Sequence, residues 1–426
     1  MKQIKIDEIA LDFLKTSEKT NTNIFLTWYA WTWKSTLFEY FKSKTKKKLI
    51  TLWSTWTAAK NVWGYTIHSF LWITKDGKVK NLPLEKRELI KNTDIIAIDE
   101  SSMVRADLFD LIDFVLKRIT WSEELFWGKQ LIFIWDLLQL PPVLVQYWKD
   151  ENNQKIETEE YLKFVSRYNW RFLFHAKGYD PEKFKIINLT KVHRQNDEEL
   201  VNSLNCVRKG LKSKKILDLF NSRVTQKNNL CKKSIYIWST NRIVDGINRA
   251  KIEENKNERI SFHAIIQGDY PEEEYPVDKW LNLKLDCRVM FINNHKDWLY
   301  SNWTLGTLKN IKDRKLIIEI DWEWEIELEK ATWQNVIWQD EIWEDIVWWT
   351  FTQYPIKLGH AITIHKSQGK TFDNVIIDTW YGCFEAGMLY VALSRCTNLE
   401  WLQLVKPIKV SDIFADEEVK QYLSDK

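Results

Sequence analysis

Residues 28–36 read WYAWTWKST, between the apolar run IFLT and the run LFEYF. A lysine followed by a hydroxyl residue at a strand-to-helix turn is suited to phosphate capture. Lys34 would reach the β- and γ-phosphates of a nucleotide, Ser35 would ligate magnesium, and the helix starting near Ser35 would add its positive end. Such loops carry glycine where this one has Trp28, Trp31 and Trp33, because positive φ and the lack of a Cβ let backbone N–H groups approach the phosphates. With each Trp read as Gly the run becomes GYAGTGKST, in which Tyr29, Ala30, Thr32 and Thr36 fill the remaining cradle positions. Read literally, it is an aromatic turn with the Trp33 ring where phosphates must lie.

A second chemistry ends the apolar run DIIAIDE at 94–100. Adjacent acids at a strand end let Asp99 hold magnesium through water while Glu100 orients and deprotonates an attacking water. A solvated strand terminus is the plain alternative, and the loop upstream weighs against it.

Composition bears on the loop. Glycine numbers 12 and tryptophan 25 in 426 residues, against average glycine usage of roughly 7%. A codon that means glycine but is rendered as tryptophan, UGA for instance, explains both departures at once. The charge balance, 62 basic against 59 acidic residues for a net +3, confines any nucleic-acid surface to a local patch. No apolar run approaches membrane-spanning length, and MKQIKIDEIA lacks the core of a signal peptide, so a soluble, cytoplasmic protein that binds no membrane is expected. Cys206, Cys231, Cys287, Cys383 and Cys396 never approach C-x-x-C spacing and read as reduced structural thiols.

The elements that must position these residues are legible as alternation. Apolar runs at 23–27, 48–53, 94–100 and 130–136 are separated by helical patterns, which predicts an α/β unit with a parallel sheet. Runs at 184–190, 234–240 and 374–380 predict a second unit. Residues 145–180 read as a connecting segment and KSKTKKK at 42–48 as a solvated helix end. Short alternating runs over 281–346 predict a small β-barrel inserted in the second unit, with DWEWE at 321–325 a hairpin turn if its tryptophans are read as glycine.

At IFIWDLLQLPPV, residues 132–143, the run becomes GDLLQLPPV with Trp135 read as Gly. Here the chain resembles the Pif/RecD branch of superfamily-one DNA helicases. The resemblance continues through STWTAAKNVWGYTIHSF (54–70), LTKVHRQND (189–197), SNWTLGTL (301–308), ITIHKSQGKTFD (362–373) and YVALSRCTNLEWL (390–402), in the family's order. Trp28, Trp31, Trp33, Trp56, Trp63, Trp135, Trp303 and Trp401 all fall where that family has glycine.

The resemblance implies two RecA-like P-loop NTPase domains, at 1–175 and 176–426, with a small SH3-like β-barrel at 281–346. It implies ATP and Mg2+ in the cleft between them, and 5′-to-3′ movement on single-stranded DNA into forked duplex DNA, as a monomer. Lys34, Asp99, Glu100, Gln139, Arg194 and Arg395 would be catalytic, Gln139 sensing the γ-phosphate and the two arginines reaching across the cleft. Gln368 and Gly369 would join the cradle in holding the nucleotide, with Ser35 and Asp99 on the metal. Thr55, Thr66, His68, Phe70, Thr363, His365, Lys366 and Ser367 would contact the strand, Phe70 by stacking on a base or else lying in the core.

The chain departs from the family in places. The adenine-reading glutamine has no clear counterpart, Gln3 being poorly placed. Gly359 and His360 stand in LGHA where the family has L-A-W-A, and Met388 replaces a common glutamine. The segment from His68 to Asp94 leaves little room for a strand-separating wedge, so a translocase that unwinds poorly stays open. So does an ATPase-dead binding protein whose literal tryptophans stack on bases.

Overall fold

The structure, a computed structural model, describes residues 6–28, 34–54, 65–74, 77–120, 122–149, 154–190, 198–226, 234–268, 272, 275–295, 299–321, 324–339, 345–378 and 382–424. Its first sheet has six strands, in the order Tyr65–Thr66, Leu49–Trp53, Ile95–Asp99, Gln130–Ile134, Asn23–Trp28, Phe184–Leu189. All neighbours are parallel. Parallel strands covered by helices on both faces are apolar throughout, which is why IIAI and LIFI are buried without alternation. Phe25 lies opposite Phe133 on one side and Ile186 on the other. The strand at 184–189, expected in the second unit, therefore completes the first: its Phe184 stacks on Phe25 at 4.8 Å between ring centres.

A second parallel sheet has four strands, in the order Ala361–Thr363, Ile235–Trp238, Val375–Ile377, Leu402–Leu404. Helix Glu198–Arg208 packs on its core through Leu200, Leu204 and Val207. Between the first and second strands of this sheet the chain builds antiparallel structure instead. Five strands, Glu325–Leu328, Lys315–Ile320, Leu305–Lys312, Arg288–Phe291 and Ile356–Leu358, form one sheet in that order. Ile265–Gln267, Asp345–Gln353 and Ala331–Gln339 form another, and Arg259–His263 pairs with Trp280–Lys284. The segment read as a connector carries a hairpin, Tyr147–Lys149 against Lys155–Glu157.

The last helix, Glu417–Ser424, returns to the first unit, where Val419 is fully buried in the first core and Tyr422 stacks on Phe174 at 4.3 Å. Three tryptophans, Trp72, Trp127 and Trp303, have φ of 54°, 59° and 78°. Bulky side chains rarely occupy that region, and glycine does so freely.

The first core is aromatic at its centre. Phe133, fully buried, lies within 6.4 Å, centre to centre, of Phe25, Phe109, Phe126 and Phe184. Phe133→Ala is expected to destabilise this unit by about 3–5 kcal/mol, because the surrounding rings cannot close the cavity. Denaturant unfolding checks this against Val143→Ala, an exposed control expected to move stability by less than about 0.5 kcal/mol.

Candidate active site and nucleic-acid interface

Lys34 opens helix Lys34–Lys44, directly after the loop that follows strand Asn23–Trp28. Its ammonium lies 2.9 Å from Asp99 Oδ1 and 3.6 Å from Glu100 Oε1, at the C-terminal end of strand Ile95–Asp99, which is separated from Asn23–Trp28 by Gln130–Ile134. Burial alone would lower the Lys34 pKa, but Asp99 and then Glu100 outweigh it and raise it. Burial also pushes the Glu100 carboxyl above its ordinary value, against the pull of Lys34. A cation at a helix start facing two half-buried carboxylates fits the triphosphate and divalent cation of a nucleotide. The Trp28 ring lies 4.4 Å from the Lys34 ammonium, and that indole competes for the space beside the cation. Tyr29, Ala30, Trp31, Thr32 and Trp33 lie outside the described residues, as does the side chain of Ser35. Thr36 is in the first turn of the helix, half-buried.

Gln139 follows strand Gln130–Ile134, and its Oε1 accepts 3.1 Å from Gln368 Nε2. Gln368, from the second unit, also donates to Ser102 Oγ at 2.8 Å. Gly369 holds φ +71°, and a Cβ there would stand 3.0 Å from Glu100 Oε1, so only glycine lets this turn approach the carboxylate. Arg395 is buried and donates to the carbonyls of Ser367 and Lys370 at 3.1 and 2.8 Å, within its own unit. Its charge is nonetheless felt at Glu100. Arg194 lies outside the described residues.

The segments expected to line a strand channel divide by burial. Phe70 is fully buried and tilts against Tyr65 at 5.5 Å, which places it in the core and corrects the stacking expectation. Thr66 caps helix Ile67–Leu71 by accepting from Ser69 N at 3.0 Å. Thr363 does the same for Ile364–Ser367, and Ser367, fully buried, donates to the Ile364 carbonyl at 2.7 Å. Those hydroxyls make cap and turn bonds within the chain. Lys366 is exposed; His68 and His365 are half-buried, and burial lowers the pKa of both. Thr55 lies outside the described residues.

Sequence reasoning assigned no role to three residues that the structure brings together: Asp136, Arg208 and Tyr390. The available signal was Arg208 on the buried stripe Leu200, Leu204, Val207 of its helix, where a cation needs a buried partner. Lys370 was also missed; burial lowers its pKa to about 8.

Two parallel sheets, with a lysine, two carboxylates and a glutamine at the ends of strands of the first or in the segments that follow them, define a two-part RecA-like nucleotide-driven motor. Residues 5–229 match the model of the PIF1-like helicase family, and residues 358–402 that of the UvrD-like helicase C-terminal domain. The ATP-dependent DNA helicase Pif1 of Campylobacter jejuni is 32% identical, over 91% of this chain and 90% of its own. A crystal structure of Bacteroides Pif1 bound to ssDNA superposes with a TM-score of 0.77 at 31% identity, covering 99% of this chain and 97% of that one. One of Bacteroides sp Pif1 in complex with ADP-AlF4 has a TM-score of 0.77 at 30% identity, with the same coverage. The chain belongs to the PIF1-like helicase family.

Proposed function

We propose that this chain, an ATP-dependent DNA helicase by its family, hydrolyses ATP between its two parallel sheets and steps 5′ to 3′ along single-stranded DNA into a fork, as a monomer. The observation that carries the reading is the contact of Gln368, from the second unit, with Gln139 and Ser102 of the first, beside Lys34, Asp99 and Glu100. Closure of the units then assembles both halves of the site.

In this reading Lys34 binds the outer phosphates and Glu100 takes the proton of the attacking water. Gln139 senses the γ-phosphate, and Arg395, with Arg194, neutralises charge on the transferred group. Ser35 and Asp99 would hold Mg2+, which neutralises phosphate charge when bound. Lys366 and His365 supply strand contacts that do not depend on sequence. We place the junction of the motor units beyond Leu189, not at 175, and assign the antiparallel strands from 281 onward to an inserted SH3-like barrel. Glycine is the working residue at the tryptophans of the loop.

Unwinding of matched forks carrying a single tail, with ATP and Mg2+, tests the polarity. The 5′-tailed fork is expected to open and the 3′-tailed one to stay closed; the reverse pattern would overturn the direction.

A further inference from the structure

Asp136 stands three residues before Gln139, and its carboxylate is fully enclosed. From the second unit, Arg208 reaches it with Nε at 2.8 and 3.1 Å from the two oxygens and with Nη2 at 2.7 Å. Tyr390 donates its hydroxyl to Oδ2 at 3.0 Å. Within the first unit, Leu138 N donates at 3.2 Å and Gln139 Nε2 at 3.4 Å. The four lone-pair positions of a carboxylate are thus engaged, and the longest bond is the one from Gln139.

The backbone reinforces the junction. Gly387, at φ +74° before the helix that bears Tyr390, approaches so closely that a Cβ there would stand 2.6 Å from the Leu138 carbonyl and 2.7 Å from that of Gln139. A charge pair this deeply enclosed is seldom kept for stability, since desolvation offsets its attraction; a role in fixing one arrangement of the parts is the better-attested use. Here the arrangement fixed is that of the second unit on the segment bearing Gln139.

We propose that Arg208 and Tyr390 are positioning residues: they clamp Asp136 so that Gln139 exchanges its weak bond to Asp136 for the nucleotide's γ-phosphate, which makes hydrolysis answer to the second unit and the strand it holds. This rests on the function proposed above. Gln139 is held on one side by Asp136 and on the other by Gln368, so a turn of one amide reports phosphate occupancy to both units at once.

The test uses the full chain with glycine at Trp28, Trp31 and Trp33, and compares Tyr390→Phe, Arg208→Lys, Arg208→Met and the pair Arg208→Met with Asp136→Leu. Tyr390→Phe and Arg208→Lys are expected to lower the DNA-stimulated kcat about tenfold while KM for ATP stays within about twofold. Arg208→Met alone leaves a buried carboxylate unpaired and lowers the melting temperature; the double variant recovers the melting temperature but not the stimulation. Recovery of stimulation along with melting in the double variant would show the cluster to be structural only and overturn the proposal. A parent chain whose turnover ignores DNA would instead overturn the reading on which the proposal rests.

Discussion

Glycine at positions 28, 31 and 33 is expected to raise ATP turnover by about 10²-fold or more over the chain carrying tryptophan there, because preorganised backbone donors dominate phosphoryl-transfer catalysis. The structure supplies local reasons. Lys34 shares its surroundings with the Trp28 ring at 4.4 Å, and a phosphate must displace that contact. Elsewhere tryptophan occupies backbone suited to glycine, at Trp72, Trp127 and Trp303, a conformation that costs on the order of 1–3 kcal/mol at each site for a side chain. Buried indoles usually find a hydrogen-bond partner, yet the Nε1 atoms of Trp135, Trp238 and Trp303 have none. Trp135→Gly belongs in a separate variant: its ring is buried near Phe172, at 6.3 Å, and deleting it opens a cavity at a cost of about 3–5 kcal/mol. Turnover of the two loop versions, with nucleotide affinity measured alongside, checks the expectation. Equal turnover would overturn the glycine reading.

Glu100→Gln is expected to lower DNA-stimulated turnover by roughly 10²–10⁴-fold while ATP still binds, since the amide keeps the shape of the side chain but cannot accept the proton. The same residue sets a pH dependence. Burial raises its pKa above the ordinary 4.5, and Lys34 only partly opposes this. The base works deprotonated, so turnover of the parent falls as pH is lowered through that raised value, beginning above the usual carboxylate range. Stability runs the other way. The folded chain holds this proton more tightly than the unfolded one, so Glu100's contribution is present below 4.5 and declines as pH rises from 4.5 through the raised value. Glu100→Gln removes both dependences. Single-turnover hydrolysis and denaturant unfolding across pH measure them, and a variant retaining near-parental turnover would exclude Glu100 as the base.

The core of the first unit was readable because a parallel sheet buried on both faces demands continuous apolar runs, as at 95–98 and 130–134. Strand order was not. Phe184–Leu189 has the same pattern whether it opens a second sheet or closes the first, and its register on Asn23–Trp28 decides the matter only in space. Phe70 could have stacked on a base or filled a core; its burial settles which. The return of Val419 and Tyr422 to the first unit has no signature in the helix that carries them. Lys34, Asp99 and Glu100 stood out as candidates because phosphate chemistry dictates residue types at strand ends, whereas Gln139 was singled out only by the resemblance of its motif to a known family. The pairing of Asp136 with Arg208 was not legible: the apolar stripe around Arg208 says that this cation needs a buried partner, but nothing in sequence says that the partner lies 72 positions away.

The most direct measurement is steady-state ATP turnover by the chain with glycine at positions 28, 31 and 33, with and without single-stranded DNA and with Lys34→Ala as control. Turnover that rises at least about tenfold with DNA and disappears in Lys34→Ala is the predicted result. Turnover that is indifferent to DNA, or that survives the loss of Lys34, would contradict a nucleotide-driven motor built on this cleft.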